Sequence, residues 1–159
     1  MDEKLRSELR HRFDFDTWKT APRAVAELSI GGLIEVGSEL GRWTVRKMQP
    51  LKVPGTRAAS QSMWQEDAAA DALLRVDLLE ASSGTAAREL VLELLGEFQS
   101  PEIKRVADPR AGELAFSGPG ETAILFARAN LVAMVRNAGR RVVQVTEFAK
   151  TLDTLLGGG

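Results

Sequence analysis

Leu74, Val76 and Leu78 share one parity of the chain, and Arg75 and Asp77 occupy the other. That alternation puts one set of side chains on each face of an extended strand. Leu73 and Leu79 add apolar residues at both ends, so the strand over 72–79 is expected inside its sheet. Ser82-Ser83-Gly84-Thr85 breaks it and offers hydroxyls to cap a helix. Ala87, Leu90, Val91, Leu94, Leu95 and Phe98 then recur at helical spacing, while Glu89, Glu93 and Glu97 keep another face polar. The pattern predicts a helix over about 85–99, ended by Pro101, which cannot supply the N–H of a further turn.

A meander follows. Asp108-Pro109-Arg110-Ala111-Gly112 and Ser117-Gly118-Pro119-Gly120 read as turns around a short strand over 114–116. The apolar runs 122–127 and 131–136 read as a hairpin, with Asn130 as the residue suited to a left-handed turn conformation. Val142 to Val145 is either a further short strand or the lead-in to a last helix. Val145, Phe148, Ala149, Leu152, Leu155 and Leu156 make that helix amphipathic over about 145–156, and Gly157 stops it. A helix this short is marginal alone and must dock its stripe. The expected fold is therefore α+β: an antiparallel sheet of about five to seven strands carrying both helices.

The first seventy residues are less regular. Leu5, Leu9 and Phe13 lie four apart among charges, so 1–18 reads as a short surface helix pinned by Phe13, Phe15 and Trp18. Such an aromatic group docks locally far more often than it serves a partner. Residues 22–40 fit two readings: strands over 26–30 and 33–36 around a Gly31-Gly32 turn, or one helix. Two glycines inside a helix cost about 2 kcal/mol relative to alanines, which favours strands. Residues 37–41 read as a loop and 42–48 as a strand with Trp43 and Val45 inward. Residues 57–71, rich in Ala, Ser and Gln, read as a long loop or loose helix tacked down by Trp64.

Composition bounds the chemistry. At 159 residues the chain suits one domain over 1–159, large enough to fold without disulfides or metal. The net charge of −1 gives no global attraction to nucleic acid or anionic membrane. No apolar run reaches the length of a membrane span. There is no cysteine, which removes thiolate chemistry. The N-terminus lacks the apolar stretch of a signal peptide, so the cytoplasm is the default compartment, with export if a signal has been removed.

Histidine occurs once, as His11 on the charged N-terminal helix, so zinc sites and His-based triads have no partners to build from. Asp71 and Asp77 share a strand parity and are the carboxylate pair to check, although acidic residues at this density ordinarily make a solvated face. The glycine and serine motifs match neither phosphate loops nor hydrolase nucleophiles. No cofactor is expected, and catalysis is disfavoured. One charge anomaly stands out. Residues 42–57 carry Arg42, Arg46, Lys47, Lys52 and Arg57 with no acidic residue, and Trp43 is interleaved. Arg42, Trp43, Arg46 and Lys47 are the candidate binding residues, and Arg136, Arg140 and Arg141 could extend the patch in space. The ordinary reading is a solvated strand with Trp43 in the core.

From Leu73 onward the pattern resembles a recurring arrangement in uncharacterised bacterial α+β domains. The resemblance rests on the Leu74-Arg75-Val76-Asp77 strand, the 86–98 helix, Gly112-Glu113-Leu114-Ala115-Phe116, the run from Phe126 to Val132, and the final helix. The strand pair here turns through Arg128-Ala129-Asn130, where such domains often place a glycine. The resemblance implies export for many members and brings no catalytic residue. The expected function is a non-catalytic binding or protein-interaction domain, homodimerisation included. The alternative is a small-molecule-binding or hydrolytic domain with an Asp- or Arg-lined pocket between helix and sheet.

Overall fold

The computed structural model describes residues 2–18, 28–98 and 102–158. Its strands are β1 (Glu39–Leu40), β2 (Trp43–Pro50), β3 (Thr56–Glu66), β4 (Ala69–Ala81), β5 (Lys104–Arg105), β6 (Leu114–Ser117), β7 (Ala123–Arg128) and β8 (Leu131–Asn137). The α-helices are α1 (Glu3–Arg12), α2 (Gly84–Phe98) and α3 (Thr146–Asp153). All eight strands form one antiparallel sheet in the order β1-β2-β3-β4-β8-β7-β6-β5, more than the five to seven expected. Two four-stranded meanders are thus joined where β4 meets β8. β4 is interior, as its two-sided apolar ends required.

Parity sorts the sheet into two layers. Leu74, Val76 and Leu78 face one core with Trp43, Val45, Trp64 and α3, whose Phe148, Ala149 and Leu152 are buried there. Phe148 meets Trp64 edge-on at 5.2 Å and Trp43 at 5.9 Å between ring centroids. Leu79 and Ala81 face the other core, with Val91, Leu92 and Leu95 of α2. The Ser83 hydroxyl accepts from the Ala86 N–H and so caps the start of α2. Phe13 and Trp18 lie on Phe116 at 5.3 and 5.1 Å, so the N-terminal aromatics dock locally. Pro101 lies outside the described residues.

Several expectations are corrected. Residues 57–71 are neither a loop nor a loose helix: they form most of β3, a two-residue turn and the start of β4. Apart from Trp64, the inward positions of β3 are small or polar, and the buried Ser62 hydroxyl accepts from the Trp64 indole at 2.9 Å. The 33–36 strand is absent; residues 31–37 are turns, with Ile30 and Ile34 buried and Val36 exposed. A helix over this part is equally absent, and positions 19–27 lie outside the described residues. Within 37–41, Glu39 and Leu40 pair with β2 as a strand, not a loop. Residues 142–145 are an irregular lead-in to α3.

In the β7–β8 hairpin the left-handed residue is Ala129, at φ 52°, and not Asn130. Asn130 is occupied elsewhere: its side chain bonds the backbone of Leu28 and Ala81. A β-branched side chain at positive φ is strained. Ala129→Val is therefore expected to cost about 2 kcal/mol by urea unfolding, whereas Ala129→Gly should be tolerated.

Gly139 marks a close approach. A Cβ there would lie 2.3 Å from the Asp71 carbonyl oxygen and 2.8 Å from the Leu73 nitrogen. The flanking Ala138 and Arg141 N–H groups donate to the Leu73 and Asp71 carbonyls at 2.9 and 3.0 Å. Gly139→Ala must push this segment off the start of β4, at an expected cost of about 2–3 kcal/mol in the same assay.

Candidate functional site

Two surfaces on the α2 side of the sheet could receive a partner. The first is a groove along α2. Ala86, Leu90 and Leu94 stand four apart on one helix stripe and face Leu79 of β4. The β2–β3 connection, Val53-Pro54-Gly55, forms the opposite wall. The space between them is about 690 Å³. Its walls are aliphatic, and its charged lining is Glu89, Glu93 and Glu97, not the Asp or Arg anticipated for a pocket between helix and sheet.

Two of those carboxylates hold α1 in place. Arg6 donates to Glu89 at 2.8 Å and also pairs with Glu93, and Arg10 donates to the second oxygen of Glu89 at 2.8 Å. The glutamate stripe that the sequence presents as a wet helix face is therefore the seat of the N-terminal helix. Glu97 stays exposed at the end of the groove.

The second surface is the part of the same sheet face that α2 leaves open. The four candidate residues divide here. Arg42 lies in the β1–β2 turn, with its Nε 3.8 Å from Glu66. Trp43 is buried in the opposite core. Arg46 is the extra residue of a bulge, since Val45 pairs with Trp64 and Lys47 with Met63. Its Nε donates to Gln65 at 2.9 Å, which carries the guanidinium to the open face. Lys47 is exposed there. Strand register then places Lys47, Met63, Arg75 and Arg136 in one row across β2, β3, β4 and β8. The adjoining row is Gln49, Gln61, Asp77 and Met134.

Arg136 therefore joins the basic strand in space, while Arg141 lies elsewhere, 3.3 Å from Asp71. Asp77 is buried and accepts from Arg75 Nε and Nη2 at 3.2 Å each, with Arg136 Nη2 at 3.4 Å. Asp71 and Asp77 do not form a pair: six residues of strand hold them about 20 Å apart. His11 is exposed on α1. Among the described residues no three His, Asp or Glu side chains cluster so as to hold a metal ion. No described helix is long and apolar enough to cross a membrane.

The displaced pKa values lie away from both surfaces. Burial lowers the Arg88 guanidinium, against an opposite pull from Glu113 3.9 Å away. Hydrogen bonds to Asp153, at 3.0 and 2.8 Å, raise Arg128. The two arginines reach from α2 and the end of β7 towards Glu113, and Arg128 ties β7 to the end of α3. This arrangement fastens helices from both layers to the sheet. Sequence reading missed Arg75 because its partner in the row, Arg136, is set by long-range register. It anticipated a pocket between helix and sheet but not its aliphatic walls, because Leu90 and Leu94 read as ordinary core positions.

No family model, curated protein or solved structure matches the chain.

Proposed function

We propose that the chain is a non-catalytic binding domain whose ligand is a small apolar molecule seated between α2 and the sheet. The groove of about 690 Å³ carries this reading. That volume falls within the range of small-molecule sites, and aliphatic walls with a few polar groups at the rim are their usual make-up.

Native mass spectrometry on protein drawn gently from its source cells tests the proposal. The expected spectrum holds an adduct of a few hundred daltons, in line with a drug-sized occupant of such a volume. Ala86→Trp, which fills the groove from a half-buried helix position, should remove the adduct without shifting the urea midpoint. An adduct that survives Ala86→Trp would place the ligand elsewhere. A clean multiple of 17.3 kDa with nothing bound would replace this reading by a self-associating interaction domain.

A further inference from the structure

We infer that the Lys47–Arg75–Arg136 row is a second binding site, for a dianionic oxyanion, and that a phosphoryl group fits it best. The inference does not rest on the groove. Arg75 and Arg136 are directly opposite across the β4–β8 ladder, and Lys47 stands two strands further along the same row. Strand spacing puts the two arginines about 5 Å apart at the backbone and Lys47 about 10 Å from Arg75, a gap that the long lysine stem can close. Like charges placed directly opposite on a sheet cost stability. The row accepts that cost with one carboxylate, Asp77, for three cations.

The hydrogen bonding leaves the guanidiniums unsaturated. Their bonds to Asp77 run from 3.2 to 3.4 Å, longer than strong charge-assisted bonds. Arg75 Nη1 and Arg136 Nε and Nη1 take no acceptor among the described residues. Both side chains are open to solvent, at 39% and 34% exposure. Arg75 is nonetheless oriented in advance. Besides Asp77, the Gln61 amide oxygen, turned towards it, accepts from Nη2 at 2.7 Å and Nε at 2.8 Å. Two planar forks and an ammonium on an open face match the several oxygens and double charge of a phosphoryl group better than a single carboxylate. Arg46, brought to the same face by Gln65, adds a further cation at the rim.

The test is an NMR titration of the full chain with inorganic phosphate and with pyrophosphate at constant ionic strength, read at the arginine Nε–H signals. Saturable shifts are expected at Arg75 and Arg136, with phosphate dissociation on the order of millimolar and pyrophosphate about tenfold tighter. Arg136→Gln should weaken binding about tenfold. Because that variant also loosens Asp77, Lys47→Gln is the cleaner probe: it should weaken binding about three- to tenfold with an unchanged urea midpoint. Linear, unsaturated shifts, or affinity unaltered in both variants, would overturn the site. Equal affinity for sulfate would overturn the phosphoryl preference.

Discussion

Asn130→Leu is expected to lower stability by roughly 3–5 kcal/mol, because three backbone groups lose their partner at once. The Asn130 Oδ1 accepts from the Leu28 N–H at 2.8 Å, and its Nδ2 donates to the Leu28 carbonyl at 2.9 Å and the Ala81 carbonyl at 3.1 Å. The residue is 2% exposed, so water does not readily take its place. Each unsatisfied buried group costs about 1–3 kcal/mol, and the half-buried Leu28 end recovers part of the loss by hydration. Leucine keeps the volume and the backbone, since φ is not positive at this position. The melting temperature of a chain this size should fall by about 10 °C or more. A loss under about 1 kcal/mol would mean that the clamp carries little load.

Asn130→Asp separates hydrogen bonding from packing. It keeps the acceptor for Leu28 but sets a carboxylate oxygen against the Leu28 and Ala81 carbonyls. Protonation restores a donor, so the folded-state pKa must rise above the unfolded value of about 3.9. The folded form then binds more protons between the two values, and stability falls as pH rises through that window. The deficit against the parent chain should therefore be largest at neutral pH and shrink as pH drops towards 4. A deficit independent of pH would indicate that the aspartate has swung out to water.

The same clamp explains why the N-terminal third was hard to read. Residues 28–30 make no ladder: the Ile30 N–H goes to the Glu80 carboxylate and Leu28 to Asn130, both far away in sequence. No local period records such partners. β4 and α2 were legible because their apolar positions keep the strand and helix periods over several turns. β3 alternates as strictly, but its core-side residues are Ala58, Ser60, Ser62 and Trp64, three of them small. Hydropathy then sees a polar stretch, although the small side chains make room for the indole. β1 and β5 have two residues each and carry no period. Of the binding candidates, Lys47 and Arg46 share a face with Arg75 and Arg136, but their companions are fixed by register across four strands. Trp43 has the same parity as Lys47 yet points the other way, because the bulge at Arg46 shifts the register between Val45 and Lys47.

Trp64→Ala should be the most damaging single truncation in the α3-side core, at about 4–5 kcal/mol. Trp64 is fully buried, meets Phe148 edge-on at 5.2 Å and donates from Nε1 to Ser62. Its loss opens a cavity that small neighbours cannot fill, because Ser60 and Ser62 were already the concession that let the ring in. The effect should be uneven. α3 has eight residues and no side-chain bond at its N-cap, so docking holds it in place more than its own hydrogen bonds do. Amide exchange should show α3 opening well before β4 and β8, which keep their ladder and the intact core beneath α2. Trp64→Phe keeps most of the ring contact, loses the bond to Ser62 and should cost about 1–2 kcal/mol. If α3 and the central strands lose protection together in Trp64→Ala, the two layers form one cooperative unit. The arginine bonds to Asp153 would then matter more than the aromatic seat for keeping α3 on the sheet.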